Sequence, residues 1–311
     1  MSAEKPHITI AMCTKNGARF LDSQLQSLLT QTHRNWSLWV SDDGSTDETW
    51  AILERFRARH GLQHPVRLLA GPDCGAAANF LSLLTHPEFP SGYTALCDQD
   101  DVWLPEKLAR GLDLISSRPS DRPSLYGARS FYVSEKLVHH GSSPRLSRPP
   151  DFPNALVENV FSGHTAILSP AARDLVRTAG AQLDVPFHDW WLYLLISGAG
   201  GDLLFDSARV ALYRQHGRNA LGANRAVIPR LDRIHRVMRG DYKHWIDQNI
   251  EALLSVESLL TTESRFALDI LVDRAEQSGR SRLRALRDLG AERQSRLDQA
   301  ALTVSCLMGY V

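Results

Sequence analysis

The 311-residue chain is 43% hydrophobic and 23% charged, an ordinary composition for a folded protein, which excludes disordered and fibrous classes. Its 35 Lys and Arg residues equal its 35 Asp and Glu residues, so net charge does not favour a nucleic-acid partner. Every apolar run is shorter than the roughly 18–20 residues of a membrane span, and the first residues lack the pattern of a signal peptide, so we expect a cytoplasmic protein.

The first hundred residues alternate short apolar runs with stretches of helical periodicity. The runs typical of β-strands cover residues 7–14, 37–41, 66–69 and 93–97, and helical patterns follow the first three. Ser45 and Glu48 have the spacing of a capping box, which predicts that a helix begins there. This alternation predicts an α/β fold with a mixed, mostly parallel sheet and helices on both faces.

The rest of the chain changes character twice. Ordered segments are predicted at residues 125–133 and 160–168, helices from about Pro170 and His188, and a late strand at residues 209–213. Residues 141–153 hold four prolines and predict an exposed loop. From about residue 223 glycine and proline become sparse, so we divide the chain into residues 1–222 and a helical C-terminal region, residues 223–311.

Polar segments follow three of the predicted strands: TKNG from Thr14, DDGSTD from Asp42 and DQDD from Asp98. In parallel sheets, ligands bind beyond the carboxyl ends of the strands. Clustered carboxylates repel one another unless a cation lies among them, and hard oxygen ligands favour Mg²⁺ or Mn²⁺, which keep positions open for phosphates. A helix cap near Pro105 is the alternative for DQDD, but a cap needs one carboxylate and three are present.

Three other segments remain open on residue chemistry alone. Asp42 and Asp43 fit a turn as well as a ligand site. Asp189 precedes an apolar helix, where it is either a cap or a general base with a raised pKa. Residues 213–216 hold a cation, an amide and a histidine that could bind a metal. They form either part of a site or a solvated basic loop.

Six segments in order, TKNG, DDGSTD, DQDDVW, SGHT, HDWW and YRQHGRN, resemble the motifs of GT-A glycosyltransferases of family 2 over about residues 7–222. The resemblance is greatest to bacterial rhamnosyltransferases and related lipopolysaccharide O-antigen and capsule enzymes. It implies a GT-A fold, Mg²⁺ or Mn²⁺, a donor such as dTDP-rhamnose or a UDP-sugar, and a glycan or lipid-linked glycan acceptor. It also implies a single displacement that inverts the anomeric carbon.

The same resemblance implies roles for individual residues. Asp189 corresponds to the catalytic base. Asp100, in the DXD motif formed with Asp98, and the later His216 correspond to metal ligands. His188 stands where many relatives carry Glu or Asp. The nucleotide-sugar site comprises Thr14, Asn16, Asp42, Asp43, Asn79, Asp98, Gln99 and Arg214, and the acceptor side comprises Gly163, His164, His188 and Trp190.

The C-terminal region has a basic segment over residues 228–245. It contains Arg230, Arg233, Arg236 and Arg239, followed by Tyr242 and Trp245. A basic amphipathic helix with interfacial aromatics fits peripheral binding to the inner face of the cytoplasmic membrane, and packing on the catalytic domain is the alternative. The apolar end, residues 302–311, predicts packing or a homodimer contact.

Two alternative functions share some of these features. A sugar-nucleotide pyrophosphorylase also combines an α/β sheet with Mg²⁺ and carboxylates. It would need a glycine-rich basic loop after the first strand, where only Lys15 and Gly17 are present. An inactive glycan-binding relative would not need Asp98, Asp100 and Asp189.

Overall fold

The computed structural model describes residues 5–217, 241–275 and 278–309. The strands are β1 (Ile8–Thr14), β2 (Trp36–Asp42), β3 (Val66–Ala70), β4 (Tyr93–Cys97), β5 (Val102–Trp103), β6 (Ser124–Val133), β7 (His139–Ser142), β8 (Ile167–Leu168) and β9 (Asp202–Arg214). The helices are α1 (Ala18–Leu29), α2 (Thr49–His60), α3 (Ala76–Thr85), α4 (Lys107–Ile115), α5 (Phe152–Ala155), α6 (Pro170–Ala179), α7 (His188–Gly198), α8 (Asp241–Ser255), α9 (Thr262–Ala275), α10 (Gly279–Asp288) and α11 (Arg296–Leu307).

The described strands form one sheet in the order β3-β2-β1-β4-β8-β6-β9-β5, and β7 pairs with β6. The pairs β1–β2, β2–β3 and β1–β4 are parallel, and so is the pair β6–β9. The short strands β5, β7 and β8 pair antiparallel. The predicted fold class is confirmed, and the carboxyl ends of β1, β2 and β4 lie at one edge of the sheet.

Helices cover both faces of the sheet because its central strands are apolar on both sides. In β1, Ile10 faces a core formed with α1, α2 and α4, whereas Ala11 faces a core formed with α3, α6 and α7. Residues 190–198 of α7 are all buried, as expected for a helix inside a core.

The C-terminal region is helical where it is described, and it shares the core of α7 through side chains such as Leu253 and Leu271. Residues 228–240 of the predicted basic helix, and the predicted domain boundary at residues 222–223, lie outside the described residues. Trp245 stacks edge-on against Phe187 with ring centroids 5.0 Å apart, and Tyr242 donates to Val157 O. These two aromatics therefore pack on the catalytic region.

No helix in residues 5–217, 241–275 and 278–309 is long and apolar enough to cross a membrane.

Two local predictions were wrong. Helix α2 begins at Thr49 rather than Ser45, because the Ser45 hydroxyl is bonded to Asp42 and Asp47 instead accepts from Thr49 N at 3.0 Å. The proline-rich loop contains strand residues at its start and is held at Ser147, whose N–H donates to Gln294 Oε1 at 2.8 Å.

Candidate functional site

Side-chain hydrogen bonds join the ends of β1 and β2. Thr14 Oγ1 donates to Asp42 Oδ1 at 2.7 Å, and the same carboxylate accepts from Ser45 N at 2.9 Å. Asn16, in the left-handed region at φ 49°, accepts from Thr46 N at 2.8 Å. Three of the predicted nucleotide-site residues thus fix the shape of the loops around the predicted site.

The ends of β1 and β4 are joined by Gln99. Its Oε1 accepts from Lys15 N at 2.9 Å, and its Nε2 donates to Lys15 O at 3.0 Å. A Cβ on Gly17 would lie 2.1 Å from Gln99 Oε1. Only glycine therefore leaves room for this amide pair.

Asp43 and Asn79 connect β2 to the start of α3. Asp43 Oδ2 accepts from Gly75 N at 2.8 Å, whereas its Oδ1 is buried and has no hydrogen-bond partner among the described residues. Asn79 is buried, and among the described residues its side chain bonds Ser41, accepting from the Ser41 Oγ at 2.5 Å and donating to the Ser41 O at 3.0 Å. Because buried acceptors are nearly always satisfied, Asp43 Oδ1 is suited to a donor group of a ligand.

An acidic group lies beyond β4. Asp98, Asp101 and His164 each place a ligand atom within 4.8 Å of the others. Asp101 is fully buried; its Oδ1 accepts from Arg214 N at 3.0 Å, and its Oδ2 has no hydrogen-bond partner among the described residues. Burial, with a smaller effect of Lys107, lowers the pKa of His164 to about 3, so its imidazole is neutral and able to coordinate a metal.

The predicted metal ligands Asp100 and His216 lie together. His216 Nε2 is 2.8 Å from Asp100 Oδ2, and its ring stacks on Phe20 with centroids 5.0 Å apart. Arg214, predicted to bind the nucleotide sugar, is 3% exposed; its Nε donates to Asp100 O at 2.8 Å and its Nη2 to Ser23 Oγ at 2.9 Å. The guanidinium of Arg214 therefore holds the acidic segment in place.

The electrostatics of this group fit a divalent cation. Burial, and then the charges of Asp100 and Asp189, raise the pKa of Asp98 to about 8. Burial, and then the charges of Asp100 and Asp98, also raise the pKa of Asp101. Carboxylate oxygens with neutral imidazole nitrogens are a donor set for Mg²⁺ or Mn²⁺, and a bound cation would remove the repulsion.

Asp189 lies in the first turn of α7, where the helix N-terminus favours a negative charge. Its Oδ2 accepts from Gly163 N at 3.0 Å and its Oδ1 from Trp190 N at 2.8 Å. A Cβ on Gly163 would lie 2.6 Å from His188 Nε2 and 3.5 Å from Asp189 Cβ. Glycine at 163 thus allows its loop to approach and orient the Asp189 carboxylate.

Two residues expected on the acceptor side are largely internal. Trp190 is 3% exposed and its indole donates to Ala155 O at 2.7 Å, which is a packing role. The His188 ring stacks on Phe80 with centroids 3.9 Å apart, and burial lowers its pKa. His164, assigned to the same side, lies in the acidic group and contacts Ser130 Oγ at 2.5 Å through Nε2.

Sequence reasoning missed Lys107. It is fully buried, its Nζ has no hydrogen-bond partner in the part of the chain that the structure describes, and it lies 3.4 Å from the centroid of the Trp103 ring. Burial lowers its pKa to about 7, and Cys97, Asp101 and Asp98 oppose that effect. A buried lysine next to the acids was not recognisable in the sequence, where it is one more polar residue at a helix start.

Comparison with known proteins agrees with this geometry. Residues 9–159 match the model of the family described as Glycosyl transferase family 2. The dTDP-rhamnosyl transferase RfbG of Shigella flexneri is 25% identical over 257 residues, covering 78% of this chain and 84% of RfbG.

Two solved structures share the fold. S. aureus TarS 1-349 in complex with UDP-GlcNAc has a TM-score of 0.56 at 15% identity, covering 98% of this chain and 89% of TarS. Mannosyltransferase PcManGT from Pyrobaculum calidifontis, in complex with GDP-Man and Mn²⁺, has a TM-score of 0.53 at 16% identity. The match covers 99% of this chain and 88% of PcManGT. The predicted family resemblance and GT-A fold are confirmed.

Proposed function

We propose that this chain, whose residues 9–159 match the family 2 glycosyltransferase model, is an inverting, divalent-metal-dependent glycosyltransferase. It would transfer a sugar from a nucleotide-sugar donor to a hydroxyl of a glycan acceptor in bacterial surface polysaccharide synthesis. The observation that carries the proposal is the Asp189 carboxylate. It is oriented by two backbone N–H groups and is close enough to Asp98 for its charge to raise that residue's pKa.

The donor diphosphate would bind at the acidic group. Asp100 and His216 are the proposed metal ligands, with Asp98 beside them and Asp101 and His164 as a buried flank. A bound Mg²⁺ or Mn²⁺ would offset the negative charge of the diphosphate and of the carboxylates as the sugar–phosphate bond breaks. The Mn²⁺ in the PcManGT complex supports this assignment.

The nucleotide would bind beyond β1 and β2. The unpaired buried Oδ1 of Asp43 supports this placement, because base N–H or ribose O–H groups are donors. Asp42, Asn16 and Gln99 would act by holding the loops that line the site. The name of RfbG supports dTDP-rhamnose as donor, and the TarS complex supports a UDP-sugar.

Asp189 would remove the proton from the acceptor hydroxyl as that oxygen attacks the anomeric carbon. The Gly163 and Trp190 N–H groups keep the carboxylate aimed in one direction during this step. Attack occurs on the face opposite the leaving diphosphate, so one displacement inverts the configuration, and a covalent nucleophile is not required.

The experiment is a transfer assay with the full chain, Mn²⁺ and either dTDP-rhamnose or UDP-sugars, using glycan acceptors carrying a lipid-diphosphate analogue. The anomeric configuration of the product, read by NMR coupling constants, should be opposite to that of the donor. A product with retained configuration would contradict the single displacement, and full activity in EDTA would contradict the metal.

A further inference from the structure

A pocket of about 460 Å³ lies outside the acidic group. Its walls come from β6, from β9 and from the loop between β7 and α5. Three of its lining residues are arginines, namely Arg129, Arg145 and Arg148, and none of the described lining residues is acidic. In a chain with zero net charge, this is a local excess of positive charge.

Arg129 is built into the wall of this pocket. Arg129 is 6% exposed, and its Nε and Nη2 donate to Ser143 O at 2.8 Å and 2.6 Å. Its Nη1 is buried and has no hydrogen-bond partner within residues 5–217, 241–275 and 278–309. A guanidinium held rigidly on one edge and unsatisfied on the other is prepared to bind an anion.

The neighbouring charges strengthen this character. Arg209 pairs with Arg129 in the register of β6 and β9 and donates to Ser142 Oγ at 3.0 Å. Arg145 is exposed on the loop and faces the same pocket, whereas Arg148 is neutralised by an ion pair with Glu292. Burial, and then the charges of Arg209 and Arg145, lower the pKa of Arg129.

The opposite wall is apolar. Leu203 and Phe205 on β9 line it together with Pro149 and Pro150. We propose that this pocket binds a phosphate or diphosphate ester, with the anionic group on Arg129 and Arg145 and an apolar substituent along Leu203 and Phe205. A phosphate group suits Arg129 and Arg145 because guanidinium groups pair with phosphate oxygens in bidentate geometry.

The pocket is distinct from the proposed transfer site but close to it along β6. Ser130, the residue after Arg129, contacts His164 of the acidic group through its hydroxyl. Arg129 lines the pocket and Ser130 contacts the acidic group, so both sites adjoin the same strand. Binding here uses neither Asp189 nor the metal ligands.

The test is calorimetric titration of the full chain in EDTA and low salt with inorganic pyrophosphate, with geranyl diphosphate, and with vesicles of phosphatidic acid. Without a divalent cation the acidic group repels these anions, so binding reports the arginine pocket. We expect saturable binding of pyrophosphate, weakened about five- to tenfold by Arg145→Ala. Arg118→Ala, an exposed arginine that does not line the pocket, is the matched control and should bind as wild type.

The three ligands distinguish the sources of the phosphate. Tighter binding of geranyl diphosphate than of pyrophosphate assigns the pocket to prenyl-type esters, and vesicle binding that Arg145→Ala weakens assigns it to a lipid headgroup. Equal binding of both soluble anions would overturn the apolar half of the proposal. Absence of saturable binding, or unchanged binding in both Arg145→Ala and the folded Arg129→Lys variant, would overturn it entirely. Loss of transfer activity in Asp189→Asn leaves this test unaffected.

Discussion

Replacing Asp189 by Asn tests the assigned base with a change of a few atoms. The amide cannot accept a proton from the acceptor hydroxyl at neutral pH. General base catalysis contributes about 10²–10⁴-fold to the rate, so kcat should fall by that factor. Because the proposed role of Asp189 is toward the acceptor hydroxyl and not the nucleotide, the Kd for the nucleotide should stay within about threefold of wild type.

The substitution also has a cost in stability that follows from the geometry. Asp189 uses both oxygens, one for Gly163 N and one for Trp190 N. Asn has one acceptor oxygen, so one buried N–H would face an NH₂ donor and lose its partner. Leaving such a group unsatisfied costs about 1–3 kcal/mol, which lowers Tm by a few degrees in a chain of this size.

The assay measures transfer rate, nucleotide affinity and Tm on the same preparation. Asp184→Asn is the matched control, since Asp184 is exposed and accepts a hydrogen bond only from Gln248 among the described residues. It should retain wild-type activity. If Asp189→Asn kept more than about a tenth of wild-type turnover, the base would have to be another group.

Two further predictions concern the acidic group and the loops that frame it. Asp98 has a pKa of about 8 in the folded, metal-free protein against about 3.9 in an unfolded chain, so the fold retains a proton that the unfolded chain has lost and stability falls as pH rises from about 4 to 8. Since Mn²⁺ binds the deprotonated carboxylate, the Mn²⁺-induced rise in Tm should be larger at pH 8 than at pH 5.5, and an equal rise would argue against Asp98. Gly17→Ala should lower the free energy of unfolding in urea by about 1–3 kcal/mol, because its Cβ would displace Gln99 from Lys15. Gly141→Ala, whose Cβ would meet Tyr132 at an ordinary 3.5 Å, should change it far less.

The strands that frame the site were predictable because their patterns are local. Strands β1 to β4 lie within one residue of the apolar runs at each end. The two-residue strands β5 and β8 were not predicted, since two residues carry no periodicity. Strand β9 is longer than predicted because its pairing with β6 extends it, and an irregularity at Arg129 interrupts the alternation of β6.

The site was predictable only as far as its motifs extend. The meeting of Asp100 with His216 followed from resemblance, but the bond from Arg214 N to Asp101 joins residues 113 positions apart and depends on the sheet order. The buried Lys107 beside the acids likewise depends on where α4 packs. Such contacts are set by tertiary packing, which no single segment encodes.

The central claim is a metal-dependent nucleotide site at Asp100 and His216. The direct measurement is calorimetric binding of UDP, dTDP and GDP, each with and without Mn²⁺, to wild type, Asp100→Ala and the exposed control Asp121→Ala. Our account predicts that one nucleotide binds only with Mn²⁺, that Asp100→Ala abolishes this binding and that the control retains it. Binding that is equally tight without Mn²⁺, or that survives in Asp100→Ala, would contradict the metal site.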